Sequence, residues 1–181
     1  MNINNTANSS IQIFDTVING NSPTYFIADI AANHDGSLQR AIDLINLAAD
    51  SGANAAKFQH FQASTIVSDV GFKSLGSQLS HQSKWKKSVY EVYQDASLNL
   101  DWTERLKSAC DAANIHFLTT PYNLEVVDYL DKFIPAYKIG SGDITWIDLI
   151  KKVASKNKPY FLASGAASMD EVSLAVSACL E

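Results

Sequence analysis

The sequence is poor in cysteine and in proline, with two Cys and four Pro among 181 residues. Cys110 and Cys179 both fall on predicted helix faces beside Ala and Val, which favours reduced core thiols over a disulfide or a nucleophile. So few cysteines exclude a small secreted fold that depends on disulfides. Reduced thiols are typical of a cytoplasmic protein, and we expect that location.

Long apolar runs and clusters of positive charge are also missing. The net charge is -5 and the Lys and Arg residues are scattered, so no basic surface indicates a nucleic-acid partner. No stretch is apolar enough to span a bilayer, and residues 1–6 lack the basic start and apolar run of a signal peptide. We therefore expect a globular protein with neither a nucleic-acid nor a membrane partner.

The sequence does contain a repeated order of a short apolar strand followed by an amphipathic helix. Strands are predicted at 25–32, 55–59, 116–120, 136–141 and 160–163. Helices are predicted at 38–49, 85–93, 102–113, 124–133 and 146–154, and after a capping box at Ser168. Strands that are apolar on both faces and alternate with helices indicate a parallel α/β fold.

About five such units leave two architectures open. One is an open doubly wound sheet, and the other is the first part of a (β/α)8 barrel. Neither glycine-rich nucleotide-binding motif follows any predicted strand, which argues against the nucleotide-binding version of the open sheet. Between the second strand and the next helices, residues 62–83 form a long Ser- and Gln-rich segment, which is typical of either a lid or a flexible connection.

Two lysines interrupt apolar strands where Val or Ile would be usual. Lys57 lies in Ala55-Ala56-Lys57-Phe58-Gln59, and Lys138 lies in Ala136-Tyr137-Lys138-Ile139-Gly140. A buried ammonium group needs a counter-charge, because an unpaired one would lose its proton or destabilise the fold. Asp29 and Asp143 could supply it as a structural ion network. Since buried ion pairs contribute little to stability, we favour a phosphate or carboxylate ligand.

Other polar residues follow the strands at the ends where parallel α/β folds bind their ligands. We interpret Asn33 and Asn123 as turn residues and helix caps, which is the commonest use of asparagine at such positions. His34, beside Asp35 and Gly36, is interpreted as a surface turn histidine, because one imidazole without a spaced partner is weak evidence for a metal site.

Several motifs together resemble, in order and spacing, the N-terminal part of the sialic acid synthase family. They are residues 27–36, 56–59, 117–122 and 136–143, and the resemblance runs from about residue 24 to the last residue. It implies an N-terminal extension at 1–23, and at 24–181 the first five units of a (β/α)8 barrel, without the antifreeze-like domain that follows the barrel in the family. We thus expect a truncated or split version of a homodimeric enzyme.

The family condenses phosphoenolpyruvate with N-acetylmannosamine or a related sugar. By resemblance, Lys57, Thr120, Lys138 and Ser141 hold the phosphate and carboxylate of phosphoenolpyruvate, and Gln59 binds the sugar. Asp29 and Asp143 match acidic residues that handle water and protons. The resemblance also implies a divalent metal, Mn²⁺ or Mg²⁺, whose histidine ligands lie on later strands than these 181 residues contain.

Three departures from the family pattern affect these residues. Asp29 stands where the family usually has Glu, and Ala31 stands where it has Gly. Ala163-Ser164-Gly165 replaces a Ser-Thr-Gly turn, so that Ser164 is only a partial substitute in the phosphate site.

Other functions stay open. The same chemistry on another sugar would give legionaminic or pseudaminic acid. An enzyme of another class would be a Schiff-base aldolase with Lys138 as its nucleophile. A non-catalytic remnant, or half of a split barrel, is the non-enzymatic alternative. Unpaired strand edges and uncovered apolar faces would favour pairing with another chain.

Overall fold

The computed structural model describes residues 10–75, 84–165 and 167–180. A small hairpin, β1 (Ile11–Ile13) and β2 (Thr16–Ile18), precedes a five-stranded sheet. The sheet consists of β3 (Ile27–Ala31), β4 (Ala55–His60), β5 (His116–Pro121), β6 (Tyr137–Ile139) and β7 (Tyr160–Leu162). The helices are α1 (Leu38–Asp50), α2 (Ala63–Ile66), α3 (Asp69–Ser74), α4 (Val89–Ala96), α5 (Thr103–Ala112), α6 (Leu124–Leu130), α7 (Ile147–Ala154) and α8 (Met169–Ala178).

The strand order decides between the two predicted architectures. The five strands are parallel and lie side by side in chain order, β3-β4-β5-β6-β7. A doubly wound sheet would reverse its strand order at a switch point and carry helices on both faces. Here every crossover advances in the same direction, as in the successive units of a (β/α)8 barrel. The described residues form no closed barrel.

The two faces of the sheet have different partners because strand side chains alternate with a period of two. Phe58, Phe117 and Tyr137 belong to the large core that the sheet forms with the helices. On the opposite, inner face, Leu118 belongs to a second cluster that includes Ile13 of the hairpin. The hairpin lies within the predicted N-terminal extension and covers the inner face at the amino ends of the strands. It was not expected from the sequence.

Local signals set most helix ends. Ser168 forms the predicted capping box with Glu171, and Gly52 adopts a φ of +84° just after α1, as a left-handed C-terminal cap requires. The helix predicted at 85–93 begins later, at Val89, because Ser88 forms a capping box with Glu91. In the segment 62–83, α2 and α3 are helical, while residues 76–83 lie outside the described residues.

The two edges of the sheet and the outer surface of the last helix are uncovered. Within the described residues, β3 and β7 each have a single neighbouring strand in the sheet. The last helix, α8, exposes Met169, Leu174 and Val176 by 76%, 58% and 44%. Such a surface is typical of a contact with further protein.

Two smaller expectations can also be compared with the structure. Cys110 is buried, Cys179 is half-buried, and both are free thiols, as predicted. None of the helices in the described ranges has the length and apolarity that crossing a membrane requires.

Candidate active site

Lys57 and Asp29 form an ion pair at the carboxyl ends of the first two sheet strands. They are register partners on β4 and β3, and the Lys57 Nζ lies 2.7 Å from the Asp29 Oδ1. The Lys57 side chain is 11% exposed, whereas that of Asp29 is 62% exposed. The ammonium group therefore lies below the surface, and the carboxylate lies at the opening. The ion pair considered from the sequence does exist.

Lys138 adds a second positive charge to this pair. Burial lowers the pKa of Lys138 below its ordinary value, the nearby charge of Lys57 lowers the pKa further, and Asp29 partly offsets both effects. Lys57 is paired with Asp29, and Lys138 is close enough for its pKa to respond to both charges, so the three groups together carry a net positive charge. An excess of positive charge in a partly buried site attracts an anion more strongly than the same charge in water would.

Tyr122 lies beside Gln59 and close to Asp143. The Gln59 Nε2 donates a hydrogen bond of 3.1 Å to the Tyr122 hydroxyl. Burial raises the pKa of the Asp143 carboxyl. Burial, followed by the charge of Asp143, raises the pKa of Tyr122 to about 12. Sequence reasoning did not select Tyr122, although an aromatic residue with a polar tip directly after a strand was a usable signal.

Gly140 leaves the space that Asp143 occupies. A Cβ atom at Gly140 would lie 2.8 Å from the Asp143 Oδ2 and 3.7 Å from the Tyr122 hydroxyl. The φ of Gly140 is -67°, which any residue can adopt, so the requirement for glycine here is steric.

The two threonines at the end of β5 point to opposite sides of the sheet. The Thr119 hydroxyl contacts the Nδ1 of His60 at 2.7 Å, and the Nε2 of His60 contacts the Thr103 hydroxyl at 2.9 Å. This network lies between the sheet and α5. Thr120 is the next residue, is 1% exposed, and is the register partner of Gln59. The alternation of side chains therefore places Thr120 on the inner face with Gln59.

The loops after β6 and β7 meet at Ser141 and Gly165. A Cβ atom at Gly165 would lie 2.3 Å from the Ser141 Cβ, and Gly165 adopts a φ of +41°. A side chain at this position would therefore collide with Ser141. Ser141 and Ser164 are both exposed at this end of the sheet. Hydroxyl groups and backbone N–H groups in such loops are suited to hold an anion.

A bulge in β3 positions Asp29. The register with β4 shifts between Asp29 and Ala31, and Ala31 has a φ of +52°. The left-handed region favours glycine, which is the residue that the resembling family has at this position, and costs an alanine roughly 1 kcal/mol. Bulges are frequent beside active sites because they redirect side chains.

His34 corrects one expectation from the sequence. It was interpreted as a surface turn residue, but its side chain is fully buried. Its Nδ1 accepts a hydrogen bond of 3.1 Å from the Gly36 N–H, and its ring packs edge-on against Trp102. The two asparagines behave as expected, since Asn123 caps α6 and the Asn33 side chain donates to the Ile30 carbonyl.

The divalent metal implied by the resemblance has no ligand set in the described part of the chain. No three His, Cys, Asp or Glu side chains within these ranges converge on a common point. A cavity of about 820 Å³ lies at the opposite end of the strands, beside His116 and Lys107. The charged residues that line it are Asp15, Asp111, Lys107, Lys132 and Lys158. The cavity is remote from the lysine pair.

Comparison with solved structures supports the barrel architecture. A sialic acid synthetase from Leptospira borgpetersenii superimposes with a TM-score of 0.79 and 28% identity, over 95% of this chain and 55% of that one. The predicted fold class, five βα units of a parallel (β/α)8 barrel, is therefore confirmed.

Curated relatives agree with this comparison. The N,N'-diacetyllegionaminic acid synthase of Campylobacter jejuni is 37% identical over 85% of this chain and 46% of its own length. The pseudaminic acid synthase of Helicobacter pylori is 30% identical over 87% of this chain and 46% of its own length. The chain thus spans less than half the length of these relatives. A model of the NeuB family matches residues 44–181. The chain belongs to the NeuB family.

Proposed function

We propose that this chain contributes the phosphoenolpyruvate-binding part of a synthase that condenses phosphoenolpyruvate with N-acetylmannosamine or a related amino sugar. Water is the third substrate, and the products are a nonulosonic acid and phosphate. The observation that carries the proposal is the cluster at the carboxyl ends of the strands, where Lys57 pairs with Asp29 and both charges affect the pKa of Lys138. This net positive charge matches a small ligand that bears both a phosphate and a carboxylate.

The anion-holding residues are the same ones that the resemblance selected. The ammonium groups of Lys57 and Lys138 compensate the charges of phosphoenolpyruvate. Thr120 on the inner face, Ser141 after β6 and Ser164 after β7 contribute hydroxyl donors. The contact between Gly165 and Ser141 supports this assignment, because it joins the two serine-bearing loops.

The acidic residues have separate tasks in the proposed reaction. C3 of phosphoenolpyruvate attacks the sugar aldehyde, water adds at C2, and phosphate leaves with cleavage of its carbon–oxygen bond. Burial raises the pKa of Asp143, which favours the protonated form that a general acid needs. Asp29, which pairs with Lys57 at the opening of the site, is the carboxylate placed to accept a proton from water.

A divalent metal such as Mn²⁺ or Mg²⁺ would polarise the aldehyde as a Lewis acid. The described residues do not fit such a site. We further propose a homodimer for the complete enzyme and a cytoplasmic location.

Phosphoenolpyruvate titration of the 181-residue chain by calorimetry tests the anion site. Lys138→Met should weaken binding at least tenfold, because charged hydrogen bonds are worth about 1.5–3 kcal/mol. Lys107→Met removes the same charge from α5, where Lys107 pairs with Asp111, and should leave binding unchanged. If Lys138→Met binds phosphoenolpyruvate like the wild type, the anion assignment is wrong.

The acceptor is tested separately by phosphate release with a panel of amino sugars. The relatives named above act in legionaminic and pseudaminic acid synthesis, so the panel includes their precursors as well as N-acetylmannosamine. Borohydride treatment with a carbonyl substrate tests the Schiff-base alternative. Covalent trapping on Lys138 would support the aldolase and contradict the synthase.

A second candidate function is favoured by the apolar surface of α8 and the open edges at β3 and β7. In this alternative the chain is half of a split barrel, completed by a polypeptide that supplies the remaining βα units, or a remnant without turnover. Size-exclusion chromatography with light scattering, with and without such a polypeptide, distinguishes the cases. A stable complex with new phosphate release would support the split enzyme.

A further inference from the structure

The cavity at the amino ends of the strands is a second place where a small molecule fits. Its volume of about 820 Å³ lies within the range of small-molecule sites, about 300–1,000 Å³. It is lined by Asn54 and His116, where β4 and β5 begin, and by Lys107 and Asp111 of α5. The hairpin turn contributes Phe14. Three separate parts of the chain thus surround one space.

Most of the titratable side chains that line the cavity already have a partner. The pairs, each at 3.2 Å or less between nitrogen and oxygen, are Asp15–His116, Lys107–Asp111 and Lys158–Asp131. The first of these pairs joins the hairpin to the start of β5. These groups form the frame of the cavity, and a ligand that used them would have to break an existing pair.

Three other lining side chains keep bonding capacity. Within the described residues, Lys132 has no carboxylate partner, and its Nζ lies over the Phe133 ring at 4.8 Å from the centroid. The exposed side-chain amide of Asn114 makes no hydrogen bond in the same part of the chain. Phe14 is 76% exposed. The cavity therefore offers a cation, an amide that both donates and accepts, and an aromatic face.

Phe14 is the residue that folding alone explains least. The hairpin turn consists of Phe14 and Asp15, and of the two only Phe14 has a positive φ, at +52°. This is the pattern of a type II′ turn, in which glycine is usual at the first position because a side chain is strained there. The ring packs edge-on against His116 at 6.1 Å between centroids, yet most of it is exposed. Residues held in strained conformations cluster at ligand sites.

We propose that this cavity binds a nucleotide, which is a planar heteroaromatic ring joined to a phosphate. The ring stacks on Phe14, its hydrogen-bonding edge meets the Asn114 carboxamide, and the phosphate lies against Lys132. A simple anion would use Lys132 alone, and an apolar ligand would use Phe14 alone. The site is at the opposite end of the strands from the lysine pair, so it is independent of the proposed function.

Calorimetric titration of the 181-residue chain with adenosine 5′-monophosphate, adenosine and inorganic phosphate, each alone, tests the ligand class. We expect the monophosphate to bind at least tenfold more tightly than adenosine or phosphate, and to bind equally well at saturating phosphoenolpyruvate. Phosphate binding as tight as that of the monophosphate, or displacement by phosphoenolpyruvate, would overturn the proposal. So would the absence of binding by the 5′-monophosphates of all four common ribonucleosides.

Glycine variants remove these side chains without disturbing the backbone. Phe14, Asn114 and Asn157 have φ values of +52°, +55° and +54°, so glycine suits all three positions. We expect Phe14→Gly to weaken monophosphate binding about tenfold through lost stacking, and to melt at or above the wild-type temperature. Asn114→Gly should weaken binding about threefold. Asn157→Gly is the control, because the Asn157 side chain donates to the Ser155 carbonyl and does not line the cavity.

A lysine variant tests the phosphate contact. Lys132→Met should weaken monophosphate binding about threefold to tenfold at low salt and leave adenosine binding unchanged. Lys86→Met, at an exposed lysine that does not line the cavity, should change neither. Equal monophosphate binding by the wild type, Phe14→Gly and Lys132→Met would overturn the proposal. A Phe14→Gly variant that melts at a lower temperature but binds normally would assign Phe14 to the fold and overturn it as well.

Discussion

Lys57 and Asp29 face each other across adjacent parallel strands, with 2.7 Å between the Nζ and the Oδ1. The lysine is buried and the aspartate is exposed, so the carboxylate covers the ammonium group at the surface of the cluster. The charges of Lys57 and Asp29 both affect the pKa of Lys138. We expect this ion pair to become a cationic site when an anion competes with Asp29.

Replacing Asp29 should separate binding from chemistry. In Asp29→Asn the lysines lose their internal anion, so we expect phosphoenolpyruvate to bind roughly threefold to tenfold more tightly, while phosphate release with the sugar falls by 10²-fold or more. Calorimetry and a phosphate assay measure the two effects. Asp69→Asn, which breaks the exposed pair with Lys73, is the control and should change neither. Weaker phosphoenolpyruvate binding in Asp29→Asn would contradict the competition described above.

Phosphoenolpyruvate binding should weaken at alkaline pH. The pKa of Lys138 is lowered by burial and by Lys57, and only the protonated form attracts an anion. Affinity should therefore be constant below this depressed pKa and fall as pH rises through it. Calorimetry at pH 7.5 and pH 9.5 measures the change. In Lys138→Met the decrease over this range should be smaller, and the same decrease in both proteins would assign it to another group.

Gly140 and Gly142 form a matched pair for testing the Asp143 position. A Cβ at Gly140 would meet the Asp143 Oδ2 at 2.8 Å, whereas one at Gly142 would meet nothing within 4 Å. Gly140→Ala should displace the carboxylate and reduce phosphate release at least tenfold, since small displacements of catalytic groups cost about 10²-fold. Gly142→Ala should retain activity. Equal activities would exclude a role for the Asp143 carboxylate at this place.

Ala31→Gly should stabilise the protein. Ala31 has a φ of +52°, and glycine relieves this strain by roughly 0.5–1 kcal/mol, partly offset by the greater freedom of glycine in the unfolded chain. Urea unfolding measures the difference. Ala56→Gly, at a buried strand position of ordinary geometry, should be destabilising. A decrease in stability for both variants would show that the backbone strain at Ala31 is not significant.

His60 should make the protein less stable in mild acid. Burial lowers the pKa of His60 to about 3, so the folded state keeps the ring neutral while the unfolded state takes up a proton near pH 6.5. His60 therefore does not reduce the free energy of unfolding above pH 6.5. Below that pH the free energy of unfolding decreases by about 1.4 kcal/mol per pH unit as pH falls toward 3.

Urea unfolding at pH 7.5 and pH 5 checks this effect. His60→Gln is less stable at pH 7.5, because the bonds to Thr119 and Thr103 change, but it should lose about 2 kcal/mol less than the wild type between the two pH values. Identical losses would mean that His60 is protonated in the folded state.

Several features could be predicted from the sequence because they depend on residues that are close in the chain. Strand and helix types follow from apolar periodicity, and the cap at Ser168 follows from a four-residue motif. Polar residues placed after strands must gather at one sheet edge when the strands are parallel. Lys57, Lys138 and Asp29 could therefore be selected from sequence alone.

Other features were decided by contacts between distant residues. The chain-order arrangement of the strands distinguished a barrel from a doubly wound sheet, because periodicity within a strand carries no information about its neighbours. His34 is buried because α5 and the preceding turn bring Trp102 over it, and Tyr122 joins the site because β4 places Gln59 beside it.

The sequence by itself determined which side chains are available and at which end of their strands they lie. Only the tertiary structure decided which of them meet and with what charge. Hydrophobic periodicity acts over a few residues, whereas ion pairs such as Lys57–Asp29 require two strands, separated by a whole helix, to come together in one register.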